Sequence, residues 1–129
     1  MKVYRYEIES NLEYNPGPYN AHHVLPLTID SWETTTQYAK LQTKLRTTHN
    51  KSNNHPNIIK DVENFRFIDD FCACPSIELL KQWFKGFNKQ ILNSGFNIVE
   101  YTVKDFNIGK SNLQGTFKQK NVINKKIIK

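Results

Sequence analysis

The sequence predicts a small single domain of the α+β class, with a mixed or antiparallel sheet and two or three helices. Residues 1–129 suit one domain, because globular domains cluster at about 100–150 residues. Hydrophobic residues make up 38% of the chain, which is enough to bury one modest core. Segments with strand alternation and segments with helical spacing follow one another, a pattern typical of this class.

The first predicted strand covers residues 2–9. Tyr4 and Tyr6 lie on one of its faces and Val3 and Arg5 on the other, as expected of a half-buried strand. A loop rich in proline and glycine follows this strand.

The next predicted element is a helix over residues 31–46, where Leu41 and Leu45 belong to one apolar face. The polar residues 47–57 are predicted to form an exposed loop. Residues 58–71 fit two structures, because their first apolar residues have helical spacing and their later ones suit an extended strand.

Two helical pieces and two strands are predicted in the second half of the chain. Ser76 caps the first helix, and a shorter helix over 88–93 ends at Gly95. Residues 96–103 form a strand rich in β-branched and aromatic residues, and a last strand over 116–123 pairs with it. The apolar residues predicted to face inward in the two helices are Ile77, Leu80, Phe84, Phe87, Ile91 and Leu92.

The composition excludes membrane and secreted classes from the prediction. No run approaches the roughly 18 apolar residues of a membrane span, and the charged start lacks the apolar core of a signal peptide. Cys72 and Cys74 are too close for an unstrained disulfide. We therefore expect a reduced, cytoplasmic protein.

Positive charge is concentrated toward the end of the chain. The formal net charge is +6, and the basic segment 106–129 contains six lysines and no acidic residue. Such asymmetry indicates contact with a polyanion or a solvated tail. The residues predicted to contact nucleic acid are Lys81, Lys85, Lys89, Lys118, Lys120, Lys125 and Lys126.

The segment around Trp83 has two interpretations. Lys81, Lys85 and Lys89 recur every four residues, so that they line one face of a helix while Trp83 stacks on a base. In the alternative, Trp83, Phe84 and the following aromatic residue lie in the core and the lysines are only solvated.

Metal and catalytic motifs are not predicted. The histidines and cysteines lack the paired spacing of a zinc site, and no P-loop, dinucleotide fingerprint or nucleophile elbow is present. Cys74 precedes a predicted helix, whose dipole would lower the pKa of its thiol, and a structural cysteine is the alternative. We therefore assign no metal, no cofactor and no catalytic residue, which favours a binding protein over an enzyme.

Aromatic residues in the first half of the chain suggest a protein-binding surface. Tyr14, Tyr19 and Trp32 are of the type that anchors interfaces. Together with the loop 47–57, they predict a surface for a protein partner.

Several segments of the chain resemble a family of small phage and prophage proteins. The most specific is the Ser-x-x-x-Leu-x-x-Trp-Phe run that begins at Ser76. The resemblance implies a cytoplasmic protein of the infected bacterial cell that binds a host protein or ribonucleoprotein complex, as inhibitors of bacterial defence such as anti-CRISPR proteins do. A basic chain is not a DNA mimic, so the implied partner is RNA or an RNA-containing effector. The other segments that carry the resemblance are residues 3–7, 17–19, 74–84, 95–103 and 114–117.

The layout is also similar to ADP-ribosyltransferase-like folds, which place an early strand, an aromatic loop and a late polar residue around a nucleotide. Arg5, Tyr19 and Gln114 stand at the matching positions. This likeness implies a small nucleotide-handling enzyme as the alternative function.

Overall fold

The computed structural model describes residues 1–9, 15–19, 32–66 and 70–128, and the side chains of 32–37 lie outside this description. It confirms the α+β class, with helices and two antiparallel sheets in one small domain. The elements in chain order are β1 (Lys2–Glu7), α1 (Trp32–Asn50), α2 (Ile58–Asp61), β2 (Asp70–Ala73), α3 (Ile77–Trp83), α4 (Asn88–Asn93), β3 (Asn97–Val103), β4 (Asn107–Ile108), β5 (Gly115–Lys118) and β6 (Val122–Ile128).

The first sheet has the order β1-β3-β6, with both pairs antiparallel. The side chains along each strand alternate between the two faces of the sheet, as predicted for the strand over residues 2–9. Tyr6 lies opposite Ile98 on one face, and Val3 lies opposite Tyr101 on the other. Both faces carry buried residues, so the sheet is the middle layer of the molecule.

The helices cover the face of the first sheet that contains Tyr6. Ser76 accepts a hydrogen bond from the Leu79 backbone N–H at 3.1 Å, which caps α3 as predicted. Gly95 has a φ of +98° after α4, the left-handed conformation expected of a glycine that ends a helix. This core consists of Tyr6, Tyr38, Leu41, Leu45, Cys74, Leu80, Phe84, Phe87, Ile91, Phe96 and Ile98.

The second sheet, in the order β2-β5-β4, covers the opposite face. The backbones of Tyr4 and Cys74 exchange two hydrogen bonds of 2.8 Å, and this bridge joins the two sheets. Val3 and Val103 pack there against Ala73 and Phe117 in a smaller second core.

The structure corrects two element boundaries and the orientation of one side chain. The predicted strand over 116–123 is interrupted by a 3-10 turn over Gln119–Asn121, so β5 joins the second sheet and only β6 pairs with β3. Helix α1 continues to Asn50 and shortens the predicted loop over 47–57. Leu92, predicted to face inward, is 47% exposed, because α4 is a short helix that turns only Ile91 into the core.

Candidate functional site

An open groove runs between α1 and α4 and has a volume of about 570 Å³. Two lysines, Lys40 and Lys89, line it, and none of the side chains that the structure describes contributes a carboxylate to this lining. The remaining lining residues are Gly86, Gln90, Asn93 and Ser94. We call this feature the α1–α4 groove; it combines positive charge with amide and hydroxyl groups that can donate hydrogen bonds.

The walls of the groove are held in place by contacts between its two helices. The Tyr38 hydroxyl of α1 donates a 2.9 Å hydrogen bond to the Ser94 backbone carbonyl at the end of α4. The same ring packs edge-on against Phe96. Gly86 has a φ of +89°, which permits the chain reversal between α3 and α4.

Further lysines stand beside this groove. The Lys44 ammonium lies 6.0 Å from the ring centroid of Phe87, a buried residue next to Gly86. Lys85, on the other side of Gly86 in the chain, is exposed. The α1–α4 groove is therefore surrounded by several cations in this part of the described structure.

The predicted alignment of Lys81, Lys85 and Lys89 on one helix is wrong. Helix α3 ends at Trp83, and α4 begins only at Asn88, so the three lysines are distributed over α3, the turn and α4. Asn88 donates a 2.8 Å hydrogen bond to the Lys81 carbonyl and closes the turn between the helices.

The predicted lysines of the C-terminal segment do not form one strip. Lys118 makes a 2.8 Å ion pair with Asp70, and Lys125 makes a 3.0 Å ion pair with Glu7. Lys125 and Lys126 are consecutive on β6 and point to opposite faces of the first sheet. Lys120 is exposed on the 3-10 turn.

Tyr19, His49, His55 and Trp83 form a second feature, a compact aromatic–histidine cluster. Trp83 Nε1 donates a 2.6 Å hydrogen bond to the Tyr19 hydroxyl, which in turn bonds to His49 Nδ1. His55 Nε2 donates to the Trp83 carbonyl at 2.5 Å. Burial lowers the pKa of His49 to about 4, with a smaller contribution from the nearby charge of His55.

This cluster decides between the two interpretations of Trp83. Its indole N–H is engaged by Tyr19, and its ring packs against the imidazole of His55 at 4.7 Å. These contacts favour the core interpretation for Trp83, which is partly buried against the core beneath the helices. The polar groups of Tyr19 are also engaged within the protein, since its backbone carbonyl accepts a 2.9 Å hydrogen bond from Arg46.

A third feature is the buried carboxylate of Glu7 in the first sheet. Arg5 Nε lies 3.2 Å from it and Lys125 Nζ 3.0 Å, and the Tyr101 hydroxyl donates to it. Burial and the charge of Glu7 together raise the pKa of Tyr101 above its usual range. A small cavity of about 90 Å³ adjoins this group and reaches Phe71.

A fourth polar group links α2 to the segment before β5. The Asp61 carboxylate accepts hydrogen bonds from the Ser111 backbone N–H at 2.7 Å and from the Ser111 hydroxyl at 2.8 Å. Gln114 donates to the same carboxylate at 3.1 Å and to the Pro56 carbonyl at 2.9 Å. These bonds fix the loop 109–114 in place.

The structure assigns the residues of the nucleotide-handling alternative to three different environments. Arg5 belongs to the Glu7 group, Tyr19 to the aromatic–histidine cluster and Gln114 to the Asp61 group. Among the residues predicted to bind a protein partner, Tyr14 and the side chain of Trp32 lie outside the described residues.

The predicted lowering of the Cys74 pKa is wrong. Burial raises the pKa of its thiol to about 12, because the desolvation of a thiolate here outweighs the dipole of the short helix α3. In the part of the chain that the structure covers, no three His, Cys, Asp or Glu side chains converge in a way that could hold a metal ion.

The model of the bacteriophage T4 Y00F protein family matches the whole chain, residues 1–129. The chain belongs to this phage family. The match confirms the resemblance to small phage proteins. No curated protein and no solved structure matches the chain. None of the described helices of this Y00F-family protein is long and apolar enough to cross a membrane.

Among these features, sequence reasoning missed the contribution of α1 to the groove. Lys40 and Lys44 are four residues apart, and this spacing alone would have placed them on one helical face. Their proximity to α4 depends on the tertiary packing of Tyr38 against Phe96, which no local pattern in the sequence reveals.

Proposed function

We propose that this phage protein binds the phosphate backbone of RNA, alone or within a host nucleoprotein, through the α1–α4 groove. The observation that carries the proposal is that Lys40 and Lys89 line the groove, with no carboxylate among the described side chains of its lining. A lysine ammonium attracts phosphate as a point charge and does not read base edges. The expected binding is therefore tolerant of sequence and sensitive to salt.

The polar residues of the groove support the same ligand chemistry. Gln90 and Asn93 offer amide N–H groups between the lysines, and such groups commonly bond to phosphate and sugar oxygens. Lys44 and Lys85 extend the positive potential beyond the groove itself. Among the lysines that the sequence analysis assigned to nucleic acid, Lys89 lines the groove and Lys85 adds positive charge beside it.

The role that we propose for this binding is interference with an RNA-containing complex of the host cytoplasm, such as a defence effector of the CRISPR type. A protein with a net charge of +6 suits an RNA partner better than it suits the imitation of DNA. Membership of a phage family supports this proposal, because proteins made during infection share the cell with such host complexes.

The proposal is tested with labelled single-stranded RNA and fluorescence anisotropy at low salt. The double variant Lys40→Glu with Lys89→Glu should bind at least about tenfold more weakly than the original protein, because two attractive contacts become repulsive. The control is Lys60→Glu with Lys104→Glu, which changes the net charge equally at exposed lysines outside the groove.

The control variant should lose little affinity if the groove is the binding site. Equal losses in the two double variants would show that only the net charge matters and would overturn the assignment of the groove. Absence of RNA binding by the original protein at low salt would overturn the proposed function itself.

A further inference from the structure

We infer that the outer edge of β6 binds an extended acidic segment of a partner protein, which joins the first sheet as an additional strand. Within the described part of the chain, β6 is the last strand in the order β1-β3-β6 and pairs with β3 alone. An edge strand presents unpaired backbone N–H and C=O groups, and an extended peptide can bond to them.

Most side chains of β6 are exposed to solvent. Its five central residues, 123–127, are all exposed. Ile123 is 60% exposed and Ile127 is 42% exposed. A strand added at this edge would cover part of both isoleucines, so their burial would favour its binding.

The positive charge of β6 indicates which kind of partner segment can bind at its outer edge. Lys125 and Lys126 project to opposite faces, and the side chain of Lys125 is 41% exposed although it pairs with Glu7. An added antiparallel strand therefore meets one ammonium group on each face. Two consecutive acidic residues, flanked by β-branched apolar residues opposite Ile127 and Ile123, complement this edge.

The same charges disfavour a second copy of this chain as the occupant. Antiparallel pairing of β6 with β6 brings lysines opposite or diagonal to lysines, and like charges in these positions are destabilising. Strand β6 itself carries no acidic residue that could pair with the lysines of a second β6 across such an interface. Lysines on an edge strand deter self-association, while they admit a partner strand of opposite charge.

The test uses the full-length protein and a short blocked synthetic peptide that contains Val-Glu-Glu-Thr-Val. We expect saturable binding by isothermal titration, and at least about a tenfold weaker affinity when both glutamates are replaced by lysine. N-methylation of the peptide amides that face β6 should also abolish binding, because it removes the backbone donors of the added strand.

Two variants locate the binding edge. Ile127→Asp should weaken peptide binding at least about tenfold, whereas Ile108→Asp, with the same charge change at an equally exposed residue of β4, should not. Unchanged melting temperatures would show that both variants remain folded. A peptide that binds Ile127→Asp normally, or that tolerates N-methylation, would overturn the inference.

Two further results would also contradict the inference. The first is that the acidic peptide does not bind. The second is a dimer in sedimentation that Ile127→Asp dissociates, because the occupant of the edge would then be a second copy of this chain. The groove variant Lys40→Glu with Lys89→Glu should retain peptide binding, so failure of this inference is separable from failure of RNA binding.

Discussion

The imidazole rings of His49 and His55 stack with their centroids 3.8 Å apart and their planes 10° from parallel. His49 is only 5% exposed. The Tyr19 hydroxyl accepts a hydrogen bond from Trp83 and can donate its own hydrogen to an unprotonated His49 Nδ1. Burial lowers the pKa of His49, so the neutral imidazole is the favoured form in this cluster.

The neutral His49 predicts a loss of stability in mild acid. Its pKa is lowered from the usual 6.5 to about 4 in the folded protein, so the unfolded chain binds the proton first. The contribution of neutral His49 to the free energy of unfolding should be fully present above about pH 6.5 and should decrease by up to about 3 kcal/mol as the pH falls toward 4. Thermal melting between pH 7.5 and pH 4.5 measures this change.

The variant His49→Asn separates this effect from the titration of carboxylates. Its side-chain oxygen can still accept from Tyr19, but it does not titrate in this range. We expect a flatter dependence of melting temperature on pH between 6.5 and 5. If the variant and the original protein show parallel curves, His49 is not the residue that titrates.

Glu7 is predicted to be important for stability because its buried carboxylate compensates the largely buried Arg5 guanidinium and also pairs with the part-exposed Lys125 ammonium. In Glu7→Gln, Arg5 and Lys125 lose their anionic partner, which should cost about 3–5 kcal/mol. The control Glu9→Gln removes the same charge at an exposed position. Urea unfolding measures both variants, and equal stabilities would contradict the assigned role of the Glu7 group.

Asp61 is predicted to hold the loop 109–114 through its hydrogen bonds to Ser111 and Gln114. Asp61→Ala removes the acceptor of the two half-buried Ser111 donors and leaves the buried Gln114 amide with only its bond to Pro56, so it should destabilise the protein by about 1–3 kcal/mol. Glu63→Ala, an exposed acidic residue nearby, should have an effect below about 0.5 kcal/mol. Chemical denaturation distinguishes the two variants, and similar effects would count against a structural role for Asp61.

Gly109 should be intolerant of a side chain for a related reason. A Cβ at this residue would contact the Asp61 carboxylate and lie 2.9 Å from the Gln114 carbonyl oxygen. Gly109→Ala must therefore displace the loop and should cost more than about 1 kcal/mol. Gly86→Ala, where a Cβ has no heavy atom within 4 Å, should cost only the strain of its positive φ.

The thiol of Cys74 is predicted to be unreactive in the folded protein. Burial leaves the side chain 5% exposed and raises the pKa of Cys74 to about 12, so almost no thiolate forms at neutral pH. In a Cys72→Ser background, a thiol reagent at pH 7.5 should modify Cys74 only after denaturant is added. Rapid modification of the native protein would mean that this thiol is accessible and activated.

The sequence was sufficient to predict elements whose signals are local. The Ser76 hydroxyl accepts a hydrogen bond from the Leu79 backbone N–H, and Gly95 adopts a positive φ after α4. Both features were predictable because helix caps and left-handed turns depend on residues that are close in the sequence. The alternation of residues 2–9 predicted the two faces of β1 for the same reason.

The remaining features depend on contacts between distant parts of the chain. The 3-10 turn over Gln119–Asn121 sends β5 and β6 to different sheets, and nothing in the alternation of 116–123 marks this division. Likewise, Lys118 and Lys125 have acidic partners in β2 and β1, so their charge could not be judged from the C-terminal segment alone.

The most direct test of the proposed function is the salt dependence of RNA binding. For the original protein, the logarithm of the affinity for single-stranded RNA should decrease with the logarithm of the salt concentration with a slope of about −2 to −3. Lys40→Gln with Lys89→Gln removes two phosphate contacts and should reduce the magnitude of the slope by about 1.4. An unchanged slope in this variant, or no measurable binding at low salt, would contradict RNA binding through the α1–α4 groove.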